Sequence, residues 1–433
     1  MKSTADPTSR RLLVVSYEHP PCPGIGGTRW VSMARYLRAF GHSVTIVASN
    51  GWGNLPDDGE LGVVRVKDLR AARTLRSLFK RGRLRREGDR NLLERPPGRL
   101  LTQVLVPEMN VATWVPQATV AVRRLMSQGA YDCLVTSSPP ESSHLIGLSL
   151  SRRRPAWVAD FRDGWTFEPY RERFPTRSQR QLDHWLEQRV ALSAEVTVGA
   201  TRPIADDLAR RLGAPAIYVP NGWDETNAPK PRPGASRDGE ITLVYTGTLS
   251  GEWGRDPAPL LEALREDSTE AGGRLRLVHA GRLRTEEQTL IDQSGASTAV
   301  EHLGTLDRAE ALALQRSADA LVLITSRNSS EATGKLFEYL FSGRPIVALA
   351  EGSEAARIVR ETNTGITVSP DDVSAIAVAL RRVVSGELAR AYAPHDLDRY
   401  TYPGLAEQMA ELIEEAIRRH NGQKSPNPPS RPC

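Results

Sequence analysis

The chain has 433 residues, of which 39% are hydrophobic and 25% charged, and a formal net charge of +5. That length exceeds one ordinary core, so two domains of roughly 200 residues are expected, with the composition of a globular protein. No apolar run reaches the roughly 20 residues needed to cross a bilayer. Met1–Arg10 lacks the apolar stretch of a secretory signal, and Cys22, Cys133 and Cys433 are too few and too far apart for a disulfide framework or a Cys-based zinc site. A cytoplasmic location is the expectation.

After the polar stretch 1–10, a first domain is expected over residues 11–219. Arg11–Val15 reads as a buried strand, followed by Gly24-Ile25-Gly26-Gly27 and an amphipathic helix carrying Trp30, Met33, Ala34 and Leu37 on one face. Gly41–Val47 then closes a first βαβ unit. The glycine run precedes a helix, so its backbone can approach a phosphate closely, but Arg29 occupies the third glycine position of a dinucleotide fingerprint, which therefore fails. Basic residues recur over 65–99, interleaved with Leu69, Leu75, Leu78, Phe79 and Leu84. This basic insertion is either solvated or an amphipathic helix lying on an anionic membrane surface. No aromatic stacking series accompanies it, so nucleic acid is not an expected partner. Cys133 falls in the next apolar strand. His144 stands at a helix start, either as a cap or buried hydrogen-bonding residue or facing a ligand. Asp160-Phe161-Arg162-Asp163-Gly164-Trp165 concentrates charge at a strand end, where open α/β sheets place their sites; Arg162 and Asp163 either pair there or bind an acceptor.

Residues 220–240 form a linker by composition. A second alternating series occupies 241–400, with strands expected at Ile241–Tyr245, Leu275–Ala280, Ala320–Ile324 and Pro345–Ala348, and helices at Asp307–Ser317 and Ser353–Glu361. Such alternation implies an α/β protein with parallel sheets covered by helices on both faces. A last helix over 401–420 carries the stripe Leu405, Met409, Leu412, Ile413 and Ala416. The tail 421–433 is rich in Pro and Ser and expected to be disordered. The most informative segment is Gly334-Lys335-Leu336-Phe337-Glu338-Tyr339-Leu340, a helix start with an ammonium group. A lysine there opposes the helix dipole unless an anion binds. Glu338, one turn on in an apolar helix, needs a partner, which ribose hydroxyls would supply. Arg255, after the strand ending at Thr246, is either a second phosphate partner or a solvated loop arginine.

Together with Val219-Pro220-Asn221-Gly222-Trp223-Asp224 and Tyr245-Thr246-Gly247-Thr248-Leu249, these segments resemble glycosyltransferase family 4 over most of the chain. The resemblance implies a GT-B fold: two Rossmann-like domains facing each other across a cleft, with the C-terminal helix packing back on the first. It implies a retaining transfer from a nucleotide diphosphate sugar to an acceptor held by the first domain. Lys335, Arg255 and His144 would be the catalytic groups, and Gly26, Gly27, Gly247, Ser330, Glu331, Thr333, Gly334 and Glu338 would surround the donor. One departure stands out. The family often carries a glutamate eight residues before the one matched by Glu338, and here Ser330 occupies that place with Glu331 beside it. Either Glu331 takes the role or backbone amides of the 327–330 loop do. No cofactor or metal is expected, because the sole Asp-X-Asp, Asp396-Leu397-Asp398, lies in a polar segment rather than after a strand. The acceptor is a lipid-linked sugar, a polysaccharide or a small molecule, and an enzyme acting on the first would sit peripherally on the inner face of the cell membrane. A nucleotide-sugar 2-epimerase and a non-catalytic membrane- or partner-binding protein are the alternatives on the same fold.

Overall fold

The computed structural model describes residues 9–20, 25–50, 62–68, 105–108 and 111, then 113–424 apart from 152–153, 170, 172, 225–239, 251–253 and 271–273. The chain forms two compact units, one built from residues up to Pro220 together with those from Leu405 onward, the other from Asn221–Gly404.

The first unit is organised on seven strands: β1 Arg11–Ser16, β2 Ser43–Ser49, β3 Val63–Val66, β4 Cys133–Ser138, β5 Ala156–Phe161, β6 Val196–Gly199 and β7 Ala216–Tyr218, in the order β3-β2-β1-β4-β5-β6-β7. All neighbours are parallel. Parallel strands buried on both faces need near-continuous apolar sequence, and Leu12 to Val15, Cys133 to Val135 and Trp157 to Ala159 are fully buried. The order reverses between β1 and β4. In such sheets ligands bind outside the carboxyl ends at this reversal.

The second unit repeats the scheme with β8 Ile241–Thr246, β9 Leu275–Ala280, β10 Val300–His302, β11 Ala320–Ile324, β12 Ile346–Leu349 and β13 Gly365–Val368, ordered β10-β9-β8-β11-β12-β13. Alternation along each strand divides its core. Leu243, Tyr245, Leu277, Val322 and Val347 fill one face, and Val244, Val278, Leu321, Leu323 and Ile346 the other. Here the reversal lies between β8 and β11.

The last helix runs Tyr402–Lys424, past the expected end at 420, so the first four residues of the supposed tail are helical. Within the first unit it buries Leu405, Ala406, Met409, Ile413 and Ala416. Arg10 pairs with Glu414 at 2.7 Å, Gln408 Nε2 donates to the Tyr218 carbonyl at 3.1 Å, and His420 Nδ1 meets Glu195 Oε1 at 2.9 Å. Among the described residues no helix is long and apolar enough to cross a membrane. Most of the basic stretch 65–99, most of the linker and residues 425–433 lie outside the described residues.

Candidate functional site

In the second unit, β8 delivers Tyr245, Thr246 and Gly247, and the chain after β11 delivers Ser326 to Glu331 and the helix Gly334–Leu340. The topology therefore brings Lys335 beside Gly247 across the strand reversal. Lys335 Nζ donates to Tyr245 Oη at 2.8 Å and stands 4.1 Å from that ring's centroid, while the same hydroxyl donates to the Thr248 carbonyl at 2.7 Å. Gly247 has φ +99°, and a Cβ on it would sit 3.1 Å from Lys335 Nζ. Glycine is required there for the backbone angle and for the space above the ammonium. Burial pushes the Lys335 pKa down to about 7; Arg255 adds to this, and Glu331 and Glu338 oppose it.

Arg255 is not a solvated loop residue. Its Nε donates to Glu331 Oε1 at 2.9 Å, with the side chain 15% exposed. The other Glu331 oxygen accepts from Ser326 N at 2.6 Å and Ser326 Oγ at 2.5 Å. Both Glu331 oxygens are thus committed to ordering the loop and holding Arg255. Two of the amides expected to be open toward a donor are occupied as well: Ser330 N donates to Asn328 Oδ1 at 3.1 Å and Asn328 N to Ser326 Oγ at 3.2 Å. Glu338 also has partners already. Its Oε2 accepts from Gln315 Nε2 at 3.2 Å and its Oε1 faces Arg308 at 3.2 Å. Gln315 Nε2 further reaches Thr246 Oγ1 at 3.0 Å, tying Glu338 to the end of β8. Thr333 caps the helix by position only; its Oγ1 and Gln315 Oε1 are buried without a hydrogen-bond partner.

In the first unit, Gly26 and Gly27 lie in the first turn of the helix Ile25–Ala39 rather than in a loop before it. A Cβ on Gly27 would meet Pro20 Cδ at 3.2 Å, so this glycine lets the helix pack on the His19-Pro20 turn. His144 is fully buried and stacks on Phe161 at 4.5 Å. Thr136 Oγ1 accepts from Trp157 Nε1 at 2.9 Å and lies 2.7 Å from His144 Nδ1. The hydroxyl can give its proton to Nδ1 or accept one from it, and Nε2 of the ring has no partner. Burial pushes the His144 pKa down to about 4, so the ring is neutral at pH 7.

The charged segment after β5 departs from expectation. Arg162 does not pair with Asp163; it donates to the Ser138 carbonyl at 2.8 Å and reaches Glu18 at 3.4 Å. Asp160 instead forms a fully buried ion pair with Arg29 at 2.9 Å, completed by Trp30 Nε1 and Ser137 Oγ, each at 2.9 Å. Arg29 also donates to the Val219 and Pro220 carbonyls at 3.0 and 2.7 Å. That arginine, which spoils the dinucleotide fingerprint, is a structural bolt. Tyr245, Gln315 and Arg308 were not among the expected site residues. Gln315 gives one faint signal in the sequence, a polar side chain inside an Ala- and Leu-rich helical stretch. Among the described residues no group of three or more His, Cys, Asp or Glu is arranged to hold a metal ion.

Residues 26–222 match the family described as glycosyl transferase 4-like domain, and residues 240–386 that described as glycosyl transferases group 1. An exopolysaccharide phosphotransferase of Streptomyces coelicolor is 26% identical over 322 residues, covering 72% of this chain and 31% of that protein. A glycogen synthase of Mycobacterium tuberculosis is 27% identical over 260 residues, 57% of this chain and 59% of that protein. The chain thus spans only part of the length of either relative. The sucrose-phosphate synthase of Thermosynechococcus elongatus superposes with a TM-score of 0.59 at 17% identity, over 96% of this chain and 98% of that one.

Proposed function

Because this chain belongs to the group 1 glycosyl transferases and has their GT-B fold of two Rossmann-like domains, we propose that it moves a sugar from a nucleotide diphosphate sugar to an acceptor bound by the first unit. The observation that carries this reading is the Lys335 ammonium beside the open Cα of Gly247, with Arg255 held close by Glu331. A departing diphosphate gathers negative charge as the sugar becomes oxocarbenium-like, and fixed cations at that place lower the barrier. Lys335 and Arg255 supply that charge without a metal. Glu338, steadied by Gln315 and Arg308, accepts from the ribose hydroxyls.

The acceptor hydroxyl attacks the face that the diphosphate leaves, so configuration is retained, and a phosphate oxygen takes the hydroxyl proton. In the first unit, His144 offers its Nε2–H to a sugar or acceptor oxygen. The acceptor is a lipid-linked sugar, which fits a cytoplasmic enzyme resting on an anionic membrane surface. In support, a cavity of about 680 Å³ in the first unit has Val66, Val120, Ala121 and Leu125 in its lining with Arg65, Lys67 and Arg124 beside them.

Thermal unfolding against UDP, GDP, dTDP and ADP tests the donor site, since a ligand at about a hundred times its dissociation constant adds roughly 2.7 kcal/mol. One diphosphate is expected to stabilise the wild type and to lose that effect in Lys335→Ala and Glu338→Ala. Wild-type affinity in both variants would refute the site.

A further inference from the structure

Gly247 is held from a side that the donor site does not explain. Its amide donates to the Ala280 carbonyl at 2.7 Å, and its own carbonyl lies 2.7 Å from Nε2 of His279, a fully buried residue of β9. A Cβ on Gly281 would come 2.3 Å from that carbonyl oxygen, so the two backbones touch. On the neighbouring strand, His302 is in register with His279, and the two Nδ1 atoms are 3.0 Å apart. The ring planes are inclined by 23° with centroids 4.9 Å apart.

These contacts fix both tautomers. A carbonyl only accepts, so His279 Nε2 carries a proton. Burial lowers the His279 pKa, keeping the ring neutral, so its Nδ1 is a bare acceptor. The proton between the rings therefore sits on His302 Nδ1.

Resting on the donor-site reading, we infer that His279, oriented by His302, is a positioning residue that pins the Gly247 carbonyl and so keeps the glycine face toward Lys335 open to the diphosphate. His302 is exposed, whereas His279 is fully buried. Its replacement therefore separates positioning from folding.

The test uses the full chain with UDP and with inorganic pyrophosphate, which presents the diphosphate without the base. His302→Phe leaves the buried His279 Nδ1 without a donor and is expected to weaken binding by about fivefold to a hundredfold, the range one orphaned buried acceptor implies. His302→Asn, whose amide donates, should recover most of it. Ring ¹⁵N spectra of the wild type should show His279 protonated on Nε2 and His302 on Nδ1. Unchanged affinity in His302→Phe, or His279 protonated on Nδ1, would overturn the inference. Equal losses of affinity and melting temperature in His302→Phe, not recovered by His302→Asn, would make the pair merely structural. If the wild type binds neither probe, the donor-site reading itself fails, and the spectra still decide whether the clamp exists.

Discussion

A lysine whose pKa is pushed down to about 7 is charged only part of the time at neutral pH, and this governs how Lys335 can serve a diphosphate. Between about 7 and the ordinary lysine value the unfolded chain holds a proton that the folded one lacks. The Lys335 contribution to stability therefore rises with pH across that window. An anion at Nζ reverses the preference, so binding draws in a proton. Calorimetric titration with UDP at pH 8, in buffers of different ionisation enthalpy, should show uptake approaching one proton in the wild type and none in Lys335→Met; heats independent of buffer would sink the idea. Asp160 presents the opposite sign. Arg29, with Ser137 and Trp30, holds its carboxylate below the usual range despite burial. Its stabilisation is present above the unfolded carboxylate pKa and lost as pH falls through the folded value. Asp160→Asn removes the buried carboxylate that faces Arg29 and should cost about 3–5 kcal/mol in chemical denaturation; a loss below about 1 kcal/mol would show the pair to be dispensable. Lys335, Arg255 and Glu338 could be picked out from their motif. Their partners could not, because Gln315 and Tyr245 reach the site only when one strand end and two helices meet.

Among the elements, the helices with side-chain caps were easiest to read. Asp307 accepts from Glu310 N and Ser353 from Ala356 N, and each lies one residue before its helix, within the spans expected at Asp307–Ser317 and Ser353–Glu361. Strands Leu275–Ala280 and Ala320–Ile324 fall where their apolar runs placed them. Val300–His302 and Gly365–Val368 are three and four residues long and only partly buried, too short for a pattern to emerge. The last helix owes its place to its stripe. Met409, fully buried, should cost about 2–5 kcal/mol when changed to Ala, as seen for other buried large-to-small changes. Denaturant midpoints would measure it, and an unchanged midpoint would mean the helix does not belong to the first unit's cooperative core.

At the scale of the whole molecule, two units with separate cores should unfold as separable transitions in calorimetry. UDP is expected to raise only the transition of the unit Asn221–Gly404, which holds Lys335, Arg255 and Glu338. A shift of the other transition alone would place the nucleotide elsewhere. The sequence by itself determined the two-unit α/β architecture, the parallel sheets and the Lys335 segment, because hydrophobic period, turn residues and a local motif are written along the chain. Only the tertiary structure decided that Glu331 braces Arg255, that Glu338 is already held, that Asp160 pairs with Arg29 across 131 positions, and that His279 clamps Gly247. Those contacts depend on which strands become neighbours in a sheet, and neighbours in a doubly wound sheet are set by packing both faces at once rather than by any local run of residues.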